Sequence, residues 1–203
     1  MADPADLNKG WWEARYRDRQ TAWDRADVSP ALLHWLTTGD LAPGRVLVPG
    51  CGRGHEVIEL ARRGFGVTAL DIAPSPIAFL QKRLRKERLP AEVVQTDVLV
   101  WEARQPFDAI YEQTSLCALV PSQWETYADR LCRWLRPGGK LFALFMQTHS
   151  VGGPPFHCDL AHMRELFPST NWFWLDTPTF EVPHPVGFCE LGYVLKRRDS
   201  AEP

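Results

Sequence analysis

Val46-Leu47-Val48-Pro49-Gly50-Cys51-Gly52-Arg53-Gly54 decides how this chain folds. A short apolar run empties into three alternate glycines and leads into an amphipathic segment that opens at His55, which reads as strand, tight turn and helix. A turn of this kind lets the backbone come close to a ligand at the carboxyl edge of a parallel sheet. Outward from it the pattern alternates. Residues 45–49 are the first strand, 55–63 a helix closed by Gly64, 66–70 the second strand and 76–88 a long helix. Residues 91–96 and 107–111 are strands three and four. Residues 122–135 are a helix that stops at Arg136-Pro137-Gly138-Gly139, and 140–146 are strand five. Strands rich in Val, Leu and Ile that alternate with helices predict an α/β fold, a doubly wound parallel sheet covered on both faces.

After Met146 the rhythm changes. A loop with Gly152-Gly153-Pro154-Pro155 leads to a helix at 160–167, and two late strands follow at 172–176 and 188–196 with no helix between them. That pair predicts an antiparallel hairpin at one edge of a seven-stranded sheet. On the amino-terminal side, residues 7–19 read as a helix with Asn8 as its cap. Ser29-Pro30 starts a second helix over 30–36, since a Ser cap before Pro at the first helical position is a strong start signal.

A length of 203 residues and 45% hydrophobic content fit one domain over residues 1–203 with a full-sized core. Lys plus Arg total 23 against 25 Asp plus Glu, a net charge of −2, which argues against a nucleic-acid partner bound through a broad basic surface. The one dense basic run, residues 81–88, has helical spacing with apolar neighbours and reads as a solvated helix face. The first ten residues are polar, and no apolar run approaches the roughly 18 residues of a membrane span. Five scattered cysteines form neither a disulfide framework nor a paired metal pattern. These features predict a cytoplasmic protein with no membrane partner, and the lack of a heptad pattern or long apolar edge predicts a monomer. Nine Trp is a high count, and Trp11, Trp12, Trp23 and Trp35 fall near the N-terminus. They fit two readings, a lid over a ligand or packing of that segment onto the core.

The second strand ends in Asp71, seventeen residues past Gly54, where a carboxylate accepts hydrogen bonds from ribose hydroxyls. A dinucleotide site needs a third glycine at position 55, and this chain has His55. The spacing GxGxG is the one seen in enzymes of S-adenosylmethionine (SAM), so the expected cofactor is SAM and the product S-adenosylhomocysteine. Gly50, Cys51, Gly52, Gly54, Asp71 and Ile72 are the expected first half of that site. Asp97 and Val98 after strand three would hold the adenine, unless Asp97 only caps a turn. Glu112 at the end of strand four would face the methionine moiety, unless it is an exposed strand-end carboxylate. No His or Asp partner makes Cys51 a nucleophile, so it is expected to pack beside the cofactor.

Three stretches resemble the thiopurine, thiol and halide methyltransferase family, over a span from Trp11 to Lys196. They are Trp12-Glu13-Ala14-Arg15-Tyr16 with Gln20-Thr21-Ala22-Trp23-Asp24, the Pro49-Gly50-Cys51-Gly52 turn, and Gly152-Gly153-Pro154-Pro155-Phe156. The resemblance implies a seven-stranded Rossmann-like SAM methyltransferase sheet, a helical lid over residues 1–40 and an acceptor-pocket loop and helix over 147–170. It implies that Trp12 and Trp23 pack over the cofactor and a small-molecule acceptor. Thiopurine-type members carry Arg directly after the acidic residue of strand four, whereas this chain has Glu112-Gln113-Thr114. With Cys117-Ala118-Leu119 and Gly152-Gly153, that departure looks closer to the thiol and halide branch.

Methyl transfer from a sulfonium is an in-line displacement, and a soft anion needs alignment and desolvation more than acid–base help. The expected catalytic set is Trp23 and Phe156, with Tyr16, as an apolar pocket, and Gln113 or Thr114 as hydrogen-bonding positioners. His149 and His157 read as loop histidines, and His157-Cys158 with His162 lacks a fourth metal ligand, so no metal is expected. Three alternatives stay open at this level. They are a thiopurine acceptor, a metalloid oxyanion such as tellurite or selenite (or another small acceptor), and a SAM-binding module without turnover.

Overall fold

The computed structural model describes residues 7–175 and 180–199, so Asp176, the expected end of one late strand, lies outside the described residues. Five strands run parallel in the order β3-β2-β1-β4-β5: β1 Arg45–Val48, β2 Gly66–Asp71, β3 Glu92–Gln95, β4 Phe107–Gln113 and β5 Leu135–Gln147. The chain leaves β1 toward β2 and β3 on one side and returns to β4 on the other. The β1/β4 crevice is therefore the switch point where an open α/β sheet takes its ligand.

The antiparallel edge is present with one strand more than expected. Beside β5 lies β8 (Cys189–Arg197), antiparallel to it from Lys140↔Lys196 to Gln147↔Cys189. Two short strands share the far edge of β8. Of these, β6 (Trp172–Trp174) pairs with Leu195–Arg197, and β7 (Phe180–Pro183) pairs with Cys189–Gly192. The seventh position of the sheet is thus filled end to end by two pieces, eight strands in seven places among the described residues. A second difference concerns the Arg136-Pro137-Gly138-Gly139 turn, which belongs to β5 as an irregularity where Phe107↔Leu135 gives way to Ala109↔Lys140.

Helices cover both faces. Buried residues of α2 (Pro30–Thr38), α3 (His55–Arg62) and α4 (Pro74–Glu87), among them Trp35, Ile58 and Leu80, join one core cluster. Those of α5 (Trp124–Trp134) and α6 (Leu160–Leu166), among them Tyr127 and Met163, join the other. The basic run forms the outer side of α4, while Leu80 and Leu84 face inward. Ser29 caps α2 as expected, its Oγ accepting from the Ala31 N–H at 3.3 Å.

The amino-terminal helix α1 (Lys9–Arg17) differs from the rest because none of its residues is buried. Asn8 caps it through Gly10 N–H (2.8 Å) and Trp11 N–H (3.2 Å). Its anchor on the body is Glu13, whose carboxylate accepts the Ser75 N–H (2.9 Å) and hydroxyl at the N-terminus of α4, where a negative charge is favoured. Among the described residues no helix is long and apolar enough to cross a membrane.

Candidate active site

The carboxyl ends of the parallel strands converge on a cavity of about 650 Å³, within the range of small-molecule sites. The glycine turn sets its floor. Gly50 has φ +56°, and a Cβ there would come within 2.1 Å of Ser115 Oγ, whose hydroxyl donates to Pro49 O at 2.7 Å. Gly54 has φ +70°, and a Cβ there would strike the Leu80 methyls at 2.5 Å and 2.7 Å. Both positions demand glycine for conformation and for space.

Asp71 ties the turn to β2. Its Oδ2 accepts from Gly52 N–H at 2.9 Å and its Oδ1 from Ala73 N–H at 2.8 Å. Burial pushes its carboxyl up to about 6 against the pull of those two N–H groups. Asp71 lines the cavity with lone pairs left for a ligand's hydroxyls. Ile72, Asp97 and Val98 line the same wall. Asp97 also caps its own turn, with Oδ1 accepting from Leu99 N–H at 2.8 Å, so the two readings of this residue coexist. Cys51 is buried beside the turn, and burial with the nearby Asp71 charge raises its thiol well above the ordinary range, which disfavours a nucleophilic thiolate.

The amino-terminal tryptophans divide between the two readings. Trp11, Trp12 and Trp23 line the cavity, while Trp35 is core, in edge contact with Tyr111, Phe142 and Phe180. Trp23 meets Trp12 at 5.6 Å and Tyr16 at 5.8 Å between ring centroids, both edge-on. Asp24, next in the chain, accepts from Arg53 Nη1 at 2.9 Å and pairs with His55 Nε2 at 3.0 Å, which fastens the aromatic segment to the glycine turn.

Three of the expected residues stand outside the lining of the large cavity. Glu112 does not line the cavity. It is 1% exposed, its Oε1 accepts from Ser115 N–H (3.1 Å) and Leu116 N–H (2.7 Å), and burial raises it to about 8. It organises the turn after β4 from behind. Gln113 lines a smaller adjoining cavity of about 80 Å³, with its amide already engaged by the Tyr111 hydroxyl (2.8 Å) and Glu190 Oε2 (3.2 Å). Phe156 turns its ring against Gly153, where a Cβ would come within 2.6 Å of it, and leaves Gly153, Pro154 and Pro155 as the wall. Thr114 is the other residue expected to position the acceptor. It lines both cavities with φ +60°, an outlier for a β-branched residue and a mark of local strain.

His149 and His157 line neither cavity. The His157 Nδ1 accepts from Thr148 N–H (3.2 Å) and His149 N–H (3.4 Å) and folds the loop on itself. Sequence reasoning missed His184, which lines the large cavity, and Arg25, which lines the small one and pairs with Glu190 at 2.9 Å. Neither stands in a motif; only the tertiary fold brings them to the site.

The sequence model of the family described as Thiopurine S-methyltransferase (TPMT) matches residues 7–176. Thiocyanate methyltransferase 1 of Arabidopsis thaliana is 32% identical over 163 residues, 79% of this chain and 72% of that protein. The Thiopurine S-methyltransferase of Azotobacter vinelandii is 32% identical over 185 residues, 82% of this chain and 84% of that protein. Among solved structures, the 1,6-didemethyltoxoflavin-N1-methyltransferase of Burkholderia thailandensis, with bound S-adenosylhomocysteine, superposes with a TM-score of 0.79 at 22% identity, covering 98% of this chain and 92% of that one. The magnesium protoporphyrin IX methyltransferase of Synechocystis with bound SAM superposes with a TM-score of 0.75 at 13% identity, covering 98% and 99%. At those identities the likeness is one of fold.

Proposed function

The chain belongs to the thiopurine S-methyltransferase family and is a SAM-dependent methyltransferase, and from that premise we propose that its acceptor is a small soft nucleophile: a thiol, hydrosulfide or halide. One observation carries this reading. Beyond the glycine turn the cavity lining includes Met146, Cys117, Pro154, Pro155 and Val186, and Arg15 on α1 is its one Lys or Arg among the described residues. Such a wall strips water from a polarisable nucleophile and offers a hard oxyanion few ionic partners.

Gly50, Asp71, Ile72, Asp97 and Val98 would hold SAM, with Gly52 and Gly54 shaping the turn and Trp12 covering it. The fit rests on the close backbone approach at Gly50 and on the unfilled acceptor capacity of Asp71. When bound, SAM would supply a methyl on a sulfonium, open to displacement by the nucleophile's electron pair with the carbon–sulfur pair left on the thioether. The protein aligns and dehydrates. Trp23, Tyr16 and Thr114 bound both cavities and would set the line of approach. Residues 1–40 and 147–170 act as lid and acceptor loop of one domain spanning 1–203. The near-neutral charge and the five free cysteines among the described residues fit a cytoplasmic enzyme with no nucleic-acid or membrane partner, and the lack of a heptad pattern in the sequence fits a monomer.

A thiopurine is the second reading, favoured by the Azotobacter relative. The test is S-adenosylhomocysteine release from SAM against hydrosulfide, small thiols, iodide, a thiopurine and selenite. Turnover with the first three and little with the last two is expected. SAM binding with silence toward all soft nucleophiles would overturn the proposal.

A further inference from the structure

We propose that His184 is the seat of the acceptor's negative charge, its Nε2–H the donor against which a soft anion docks in the large cavity. The inference rests on the acceptor class proposed above and adds the ionisation state in which it binds. His184 follows β7 in a tight turn, its N–H donating to Phe188 O (2.8 Å) and its carbonyl accepting from Gly187 N–H (2.9 Å). The residue is 5% exposed and is among those that line the cavity. Its Nδ1 accepts from Val186 N–H at 3.4 Å, so the neutral ring carries its proton on Nε2. That nitrogen is buried and has no hydrogen-bond partner. A donor buried without an acceptor costs stability that a ligand's lone pair would recover.

The surroundings select the ligand. Arg25 is the nearby cation, and burial together with its charge holds the imidazole down to about 4, so at neutral pH the ring is a neutral donor. Arg25 is kept in place by Glu190, which is also bound by Gln113 Nε2 at 3.2 Å. Gln113 thus acts through Glu190 and Arg25 rather than by touching the acceptor. One N–H in a cavity also lined by Met146, Pro154, Pro155 and Val186 suits a weakly hydrated, polarisable anion. It leaves a trioxyanion, whose several oxygens each need donors, largely unsatisfied.

The experiment uses three variants and two readouts. Binding of labelled iodide to the S-adenosylhomocysteine-loaded protein is followed by equilibrium dialysis, and KM and kcat with hydrosulfide are measured at saturating SAM. His184→Leu should weaken iodide binding roughly 10-fold or more and raise KM in proportion, with S-adenosylhomocysteine affinity within about twofold of wild type. His184→Gln, whose amide nitrogen reaches the Nε2 position, should stay within about threefold. His184→Asn, whose amide falls at the Nδ1 position, should behave as Leu does, and it keeps the test alive if the Leu variant fails to fold. Wild type that binds no iodide, Leu or Asn variants that bind it normally, or Gln and Asn equally impaired, would each overturn the seat. Loss of iodide binding in His184→Asn alongside a wild type inert toward hydrosulfide and thiols would uphold the seat and sink the acceptor class.

Discussion

Replacing Gly50 by Ala tests the architecture of the glycine turn at its tightest contact. The backbone there has φ +56°, which costs an L-residue roughly 1–2 kcal/mol. The new Cβ would also sit 2.1 Å from Ser115 Oγ and 3.1 Å from Ser115 Cβ. The hydroxyl must move, and its bond to Pro49 O at 2.7 Å goes with it. Leaving that buried carbonyl without its donor adds about 1–3 kcal/mol. The sum is roughly 2–5 kcal/mol, which for a chain of this length lowers Tm by about 5–15 °C. Ser115→Ala in the Gly50→Ala background removes the 2.1 Å contact and leaves one of 3.1 Å, which a shift of a few tenths of an ångström accommodates. Thermal melts of the four proteins, with and without SAM, form a double-mutant cycle. The second substitution should cost less in the Gly50→Ala background than alone, with a coupling of about 1 kcal/mol or more. Strict additivity, or a Gly50→Ala protein that melts within 2 °C of wild type (about 1 kcal/mol or less), would refute the steric argument.

Three more outcomes are expected. Asp71→Asn places an amide against the Gly52 and Ala73 N–H groups, and SAM affinity measured by calorimetry should fall roughly 10- to 100-fold; an unchanged Kd would remove Asp71 from the binding set. Trp23→Ala opens the wall shared by the two cavities and should raise the acceptor KM roughly tenfold or more, and unaltered kinetics with every thiol would contradict its assignment. Glu112 is raised by burial to about 8, so the folded state holds a proton that the unfolded chain releases near 4.5. Its contribution to stability is complete below pH 4.5 and is lost as pH climbs through 8. Glu112→Gln fixes the uncharged form, and its Tm relative to wild type should rise by several degrees from pH 5.5 to 8.5. A gap that is flat or closes would show that Glu112 is ionised in the fold.

What the sequence made legible is what periodicity and turn chemistry report. The strand-turn-helix at Gly50, the acid at Asp71 and the alternation through β5 are local patterns, and the sheet followed from them. Trp35 was readable too, since it lies on the apolar stripe of α2 with Ala31 and Leu32, whereas Trp23 sits in a stretch with no period. The strand β7 was hidden because four residues ending in Pro183 carry little apolar signal, and β8 alone supplies their pairing. Glu112 was misplaced although alternation held the answer. Along β4, Ile110 belongs to one core cluster and Tyr111 to the other. A period of two therefore sends Glu112 to the side of Ile110 and Gln113 to the side of Tyr111, whose hydroxyl it accepts. His184 and Arg25 had no local signal at all.

The thin attachment of α1 has a thermodynamic consequence. Its segment contributes Trp12, Tyr16 and Trp23 to the cavity, yet it is held to the body through Glu13 on α4 and Asp24 on the glycine turn. On the proposed function that one wall serves two ligands, so the position of the wall is a variable both would bias. Linkage makes the effect reciprocal: by whatever factor SAM tightens the acceptor, the acceptor tightens SAM. Loosening Asp24 would shift both affinities together, without touching an atom of either ligand.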